Sequence, residues 1–92
     1  MKIIDLNYNE YFYINSSNYL TKELLLEFNN SIVKHNDKYT LRISEEKADL
    51  FRDLFGEQLQ VVGFDDKYNL TKEGEILEDL VDKFFIEPNI ES

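Results

Sequence analysis

The hydrophobic pattern changes its period at Ser44, and this change constrains the fold more than any other feature of the chain. In "KYTLRIS", residues 38–44, apolar and polar side chains alternate, which predicts a half-buried strand with Tyr39, Leu41 and Ile43 on its buried face. From Ser44 onward the apolar residues recur at helical spacing instead. A strand that leads directly into an amphipathic helix favours an α+β domain, because each element must bury its apolar face against another layer.

The helix that follows has signals at both ends. Ser44 is a suitable N-cap, and Glu45 and Glu46 lie in the first turn, where the helix dipole favours negative charge. The C-terminal cap is predicted at Gly63. The apolar residues that share one narrow arc of this helix are Ala48, Phe51, Phe55, Leu59 and Val62.

Gly56 leaves a second interpretation of this segment open. A glycine inside a helix costs about 1 kcal/mol relative to alanine. The helix could therefore end at Phe55 and be followed by a strand in "QLQVVGF".

The remaining elements are predicted from propensity and periodicity. "EYFYINS", residues 10–16, is rich in aromatic and β-branched residues, which predicts a strand. A helix is predicted from Thr21 to about Lys34, ended by "NDK", with Leu24, Leu25, Phe28 and Ile32 as its apolar face. Thr71 caps a last helix, whose core residues are Ile76, Leu77, Leu80, Val81 and Phe84.

These elements predict a single α+β domain over residues 1–92, with three amphipathic helices packed with a small antiparallel sheet. A tail from about residue 87, which contains the single proline Pro88, is expected to be flexible. The chain has no cysteine, its N-terminus lacks the pattern of a signal peptide, and no apolar run is long enough to span a membrane. We therefore expect a cytoplasmic protein.

Charge is distributed unevenly along the chain. Residues 1–44 carry five acidic and five basic side chains, whereas residues 45–92 carry 14 acidic and five basic ones, which accounts for the net charge of -9. A field of this sign repels nucleic acid and anionic lipid and speeds association with a basic protein. We expect a basic protein partner, no nucleic acid and no membrane.

Two helices are predicted to carry acidic stripes on the faces away from the core. Like charges four residues apart each cost a few tenths of a kcal/mol, which Arg52 and Lys83 relieve only in part. A solvated face kept for solubility explains such a pattern as well as a binding face for a basic partner does. The stripe residues are Glu45, Asp49, Asp53 and Glu57 on the first helix, and Glu75, Glu78, Asp79 and Asp82 on the second.

The segment between these helices adds Asp65, Asp66 and Tyr68 to the candidate binding residues. An exposed tyrosine between carboxylates is a common interface anchor, although a ring packed under the loop is equally ordinary. Lys67 stands where a calcium loop of the EF-hand type needs an oxygen ligand, so this segment does not predict a calcium site.

Catalysis and cofactors are not indicated by the residues. The acids lie on exposed helix faces, where paired carboxylates of different pKa are not expected. His35 has no partner that would make a metal site or a catalytic base, and is expected on the surface at a helix end. No phosphate-binding glycine loop or serine nucleophile motif occurs. We expect no enzyme activity, no cofactor and no metal.

The C-terminal half resembles immunity proteins of bacterial contact-dependent growth inhibition systems. The segments that carry the resemblance are "SEEKADLFRD", "GFDDKYNLTKEG" and "ILEDLVDK". The resemblance implies a cytoplasmic antidote that binds the C-terminal toxin domain of a large secreted effector and covers its active site. It implies a nuclease toxin, with an RNase favoured over a DNase, and a basic nuclease surface would suit an acidic inhibitor.

Two other functions are compatible with the same residues. An acidic protein of this size could mimic nucleic acid and block a nuclease, as a phage-encoded inhibitor would. "YNLTKEGEILEDL" also looks like the end of a winged-helix unit, but a DNA-binding version needs a basic surface, and this half of the chain is acidic.

Overall fold

A computed structural model describes residues 1–85 and shows an α+β fold. The order of elements along the chain is β1 (Lys2–Leu6), α1 (Tyr8–Ser16), α2 (Lys22–Ser31), β2 (Ile32–His35), β3 (Lys38–Ile43), α3 (Glu45–Val62) and α4 (Lys72–Phe84). The predicted α+β class and the antiparallel sheet are confirmed, with four helices in these residues where three were expected.

The sheet has β3 at its centre, with β1 and β2 on its two sides and both pairings antiparallel. Leu41 of β3 lies opposite Ile4 of β1 and Ile32 of β2. Because side chains alternate along a strand, this register puts the buried residues of β1 and β3 on one face of the sheet, against the helices.

The core beneath the sheet is rich in phenylalanine. Phe28 of α2, Phe51 and Phe55 of α3 and Phe84 of α4 are fully buried. The Phe84 ring lies 5.7 Å from that of Phe51 and 5.2 Å from that of Phe55, measured between centroids. Each such ring contributes roughly 1.5–3 kcal/mol by leaving water, so these four side chains join three helices into one core.

Helices α3 and α4 form an antiparallel pair. At one end Gly63, the C-cap of α3, accepts a hydrogen bond from the backbone N–H of Thr71 at 2.8 Å. At the other end the Arg52 guanidinium lies 5.5 Å from the ring centroid of Phe85. The predicted caps of both helices are confirmed, since Ser44 accepts from the Lys47 N–H and Thr71 from the Gly74 N–H.

The predicted strand over residues 10–16 is wrong, because these residues form α1. Asn7 and Glu10 make a capping box: the Asn7 side chain accepts from the Glu10 N–H at 2.8 Å, and the Glu10 carboxylate accepts from the Asn7 N–H at 2.9 Å. This pair of bonds satisfies two backbone donors at the helix start and outweighs the strand propensity of the aromatic residues.

Three further expectations need correction. The second helix ends at Ser31, and Ile32 begins β2, so the predicted helix to Lys34 is too long. The alternative strand in "QLQVVGF" is wrong, because α3 continues through Gly56 to Val62. His35 is exposed as expected but ends a strand rather than a helix, and β1 was not anticipated. The expectation of a flexible tail concerns residues outside those described.

Candidate protein-binding surface

The acidic stripe on α3 lies opposite the buried face of that helix. Its four members, Glu45, Asp49, Asp53 and Glu57, are all exposed, as predicted from helical phase. Arg52 partly neutralises this stripe, since its guanidinium lies 3.4 Å from Asp49 and 3.6 Å from Asp53. The Arg52 Nε is buried and has no hydrogen-bond partner among residues 1–85.

The acidic stripe on α4 has no such cation. Its members are also exposed, and among residues 1–85 none has a lysine or arginine nitrogen within 4.0 Å. Lys83 was expected to relieve Asp79, but its ammonium donates to the buried carboxylate of Glu10 at 2.7 Å instead. The residues left without a basic neighbour in this described range are Glu75, Glu78, Asp79 and Asp82.

Arg52 of α3 contacts Phe85, the C-cap residue of α4. Asp49 is three residues before Arg52, and Asp82 is three residues before Phe85, so each acid lies on the same helix flank as the residue that makes this contact. Glu78 continues that flank one turn earlier in α4. Carboxylates therefore border the seam between α3 and α4 from both sides.

The loop between α3 and α4 exposes the third group of candidate residues. Asp65 accepts hydrogen bonds from the backbone N–H groups of Lys67 at 2.8 Å and Asn69 at 2.9 Å, and these bonds lower the pKa of its carboxyl. They hold the loop so that Tyr68 adopts a positive φ of 65° and leaves 87% of its surface exposed. The ring is not packed under the loop, and Asp66 beside it is also exposed.

Two apolar residues near this loop, which were not singled out from the sequence, are exposed. Val61 of α3 is 74% exposed and Phe64 is 45% exposed. The sequence indicates that Val61 is exposed, because helical spacing places Val61 outside the apolar arc of α3 that contains Val62. Together with Tyr68 these side chains give the acidic loop an apolar component of the kind found at the centres of protein interfaces.

A polar cavity between α1, α3 and α4 was missed by sequence reasoning. Its volume is about 430 Å³, and its lining includes Tyr13, Tyr19 and Glu73. The Tyr13 hydroxyl donates to Glu73 Oε2 at 2.8 Å and lies 3.1 Å from the Tyr19 hydroxyl. Because Tyr13 has one hydroxyl hydrogen, which Glu73 receives, Tyr19 is the donor in the second bond.

Burial controls the ionisation of this pair of phenols. Burial raises the pKa of Tyr19 to about 12. Burial and the hydrogen bonds to Tyr19 and Glu73 raise the pKa of Tyr13 well above its ordinary value of 10. Both phenols are therefore neutral near pH 7. No sequence motif marks this cluster, since 60 positions separate Tyr13 from Glu73 and the cavity arises only when α1 packs on α4.

Neither a metal-ligand cluster nor a membrane-spanning helix occurs in the described part of the chain. Residues 1–85 contain no group of three or more potential ligands positioned to hold a metal ion. None of the helices in this range is both long and apolar enough to cross a membrane. Comparison with family models, with curated proteins and with solved structures gives no match.

Proposed function

We propose that this chain is an immunity protein that binds and neutralises the basic toxin domain of a contact-dependent growth inhibition effector. The observation that carries the proposal is the outer face of α4, where four exposed carboxylates stand without a basic neighbour among the described residues. Like charges at this spacing destabilise the free protein, and a basic partner would relieve their repulsion.

The chemistry of the surface suits a nuclease as the toxin, with an RNase favoured over a DNase. A nuclease holds phosphate groups with lysine and arginine side chains, so its active-site cleft attracts an acidic surface. The α3 and α4 stripes supply the charge, and the exposed Tyr68 supplies an aromatic anchor beside them. Binding in this way would cover the toxin's active site in the cytoplasm, where an intracellular nuclease substrate lies.

The direct test is protection from the toxin. The proposal predicts that the gene for a large secreted protein lies beside this one. Cells that express the C-terminal domain of that protein should survive when this chain is co-expressed, and the two proteins should co-purify. A matched control is the C-terminal domain of an unrelated effector, which should still kill. Killing by the cognate domain in the presence of abundant, folded immunity protein would refute the proposal.

The acidic outer face of α4 also favours a second candidate function. In this function the chain is an acidic mimic of nucleic acid that inhibits nucleases, as a phage-encoded inhibitor would. This candidate predicts inhibition of a nuclease whose gene is not a neighbour. A regulator of the winged-helix type would instead shift duplex DNA at low salt, and the acidic faces of α3 and α4 oppose that binding.

A further inference from the structure

The cavity between α1, α3 and α4 has one charged lining group. Within residues 1–85, Glu73 is the only lining residue that is charged near pH 7, and no lysine or arginine nitrogen lies within 4.0 Å of its carboxylate. The cavity therefore carries a single negative charge that the described protein does not neutralise.

The direction of the hydrogen bonds decides what the cavity offers to a ligand. Tyr19 donates to Tyr13, and Tyr13 donates to Glu73, so both hydroxyl hydrogens are already used. Lone pairs on Glu73 and Tyr19 are left, and Asn18 and Gln58 in the lining have side-chain amides whose oxygens can accept further hydrogen bonds. A site rich in acceptors with one negative charge complements a cation that carries several N–H donors.

The aromatic rings narrow the choice of cation. A planar guanidinium donates in its own plane to carboxylate and hydroxyl oxygens while its face stacks on a tyrosine ring. Tyr13 and Tyr19 are both among the lining residues of the cavity. A volume of about 430 Å³ lies within the range of pockets that hold small organic groups and is large enough for an arginine side chain.

We propose that this cavity binds a guanidinium group, supplied by an arginine side chain of the basic partner. The choice of partner rests on the proposed function, whereas the guanidinium site itself rests on the cavity. The arginine would enter between α1 and α4, with Glu73 pairing its charge and Tyr19 accepting one of its N–H groups.

The site can be tested without any toxin. The full chain is titrated with N-acetyl-arginine amide and, separately, with N-acetyl-citrulline amide, which has the same shape but no charge, and backbone amide signals are followed by NMR. We expect saturable shifts at Ser17, Asn18 and Tyr19 with the arginine compound and none with the citrulline compound.

Two charge-neutralising variants separate a ligand site from a structural cluster. Glu73→Gln keeps an oxygen that accepts from Tyr13 but removes the charge, and should weaken arginine binding at least ten-fold while the thermal midpoint stays close to that of the parent. Glu23→Gln makes the same charge change at an exposed position of α2, outside the cavity lining, and should leave binding unchanged. Equal shifts with both compounds, or undiminished binding by Glu73→Gln, would overturn the site.

The outcomes also separate this inference from the proposed function. A chain that neutralises a basic toxin but shows no arginine shifts at the cavity disproves the guanidinium site and leaves the immunity function standing. A chain that binds the arginine compound but protects against no cognate toxin disproves that function, and shows that the guanidinium ligand comes from another source.

Discussion

Glu10 is a buried carboxylate with two separate roles. It is 2% exposed, its Oε1 accepts from the Asn7 N–H at 2.9 Å, and the same atom accepts from the Lys83 ammonium at 2.7 Å. One side chain therefore closes the capping box of α1 and ties that helix to α4. A buried carboxylate is tolerated only when such bonds satisfy it.

We predict that Glu10→Ala lowers the free energy of unfolding by about 2–3 kcal/mol, because it removes both a helix cap and a charge-assisted bond. Urea denaturation followed by circular dichroism measures the change. Asn9→Ala, at an exposed position of the same helical turn, is the control and should change stability by less than about 0.5 kcal/mol. Equal effects of the two substitutions would show that Glu10 has no such role.

The Tyr13 and Tyr19 phenols should titrate last when pH is raised. Burial raises the folded-state pKa of Tyr19 to about 12, from a value of 10 in the unfolded chain. A raised pKa stabilises the fold fully below pH 10, and this contribution is lost as pH rises through about 12. Ultraviolet absorbance of phenolate should therefore show a late component that Tyr19→Phe diminishes. Tyr68→Phe, outside the cavity, should leave that component intact.

At the scale of elements, two glycines in the α3–α4 pair should respond oppositely to alanine. A Cβ on Gly74 would overlap the Gly63 carbonyl oxygen and lie 2.9 Å from the Gly63 Cα, so Gly74→Ala must push the two helices apart. A Cβ on Gly56 would meet no atom of residues 1–85 within 4 Å. We predict that Gly74→Ala destabilises the fold by more than about 1 kcal/mol, whereas Gly56→Ala stabilises it by about 1 kcal/mol.

Thermal and chemical denaturation of both variants measure these differences. The pair serves as its own control, since each adds one methyl group to the same helical hairpin. A stabilising Gly74→Ala would contradict the close approach of α4 to the C-cap of α3.

Elements with a clear period and a cap were predicted correctly, whereas short elements fixed by tertiary contacts were not. The alternation of β3 and the caps at Ser44 and Thr71 located three elements. Ile32 fits the apolar period of α2 equally well in a helix or a strand, and its pairing with Leu41 decides for the strand. At α1 the capping box was visible as Asn7 and Glu10, three residues apart, and was the overlooked signal.

The candidate surface was predictable in part for the same reason. Helical phase placed the acids outward because it depends only on spacing within one helix. The partners of Lys83 and Arg52 were not equally predictable. Arg52 pairs with acids in its own helix, whereas Lys83 reaches Glu10, 73 positions earlier, through packing that no local pattern encodes. The cavity of Tyr13, Tyr19 and Glu73 depends on the same packing of α1 against α4.

At the scale of the whole molecule, the two halves of the chain differ in net charge and contribute different elements to the fold. The half with balanced charge contributes the whole sheet and the helices α1 and α2, and the acidic half contributes the α3–α4 pair. The α3–α4 helix pair adds Phe51, Phe55 and Phe84 to the common core. The outward-facing acids are therefore carried by helices that the core requires. The negative field therefore has a fixed position on the fold, from which it can steer a basic partner.

This division predicts which acids govern association with a basic partner. Asp79→Lys with Asp82→Lys reverses carboxylates that have no basic neighbour among the described residues, and should slow association about ten-fold at low salt with little change in dissociation. Asp49 and Asp53 share Arg52, so the same reversal there should slow association less. Stopped-flow or biosensor kinetics at several salt concentrations measure both rate constants.

A variant with equal net charge isolates position from total charge. Glu23→Lys with Asp37→Lys changes two exposed acids of the balanced half and adds the same number of positive charges. If steering comes from the α3–α4 face, this control should associate nearly as fast as the parent, and the difference between the two variants should vanish as salt shortens the reach of the field. Equal slowing by both variants would mean that total charge alone sets the rate and that the face itself does not guide the partner.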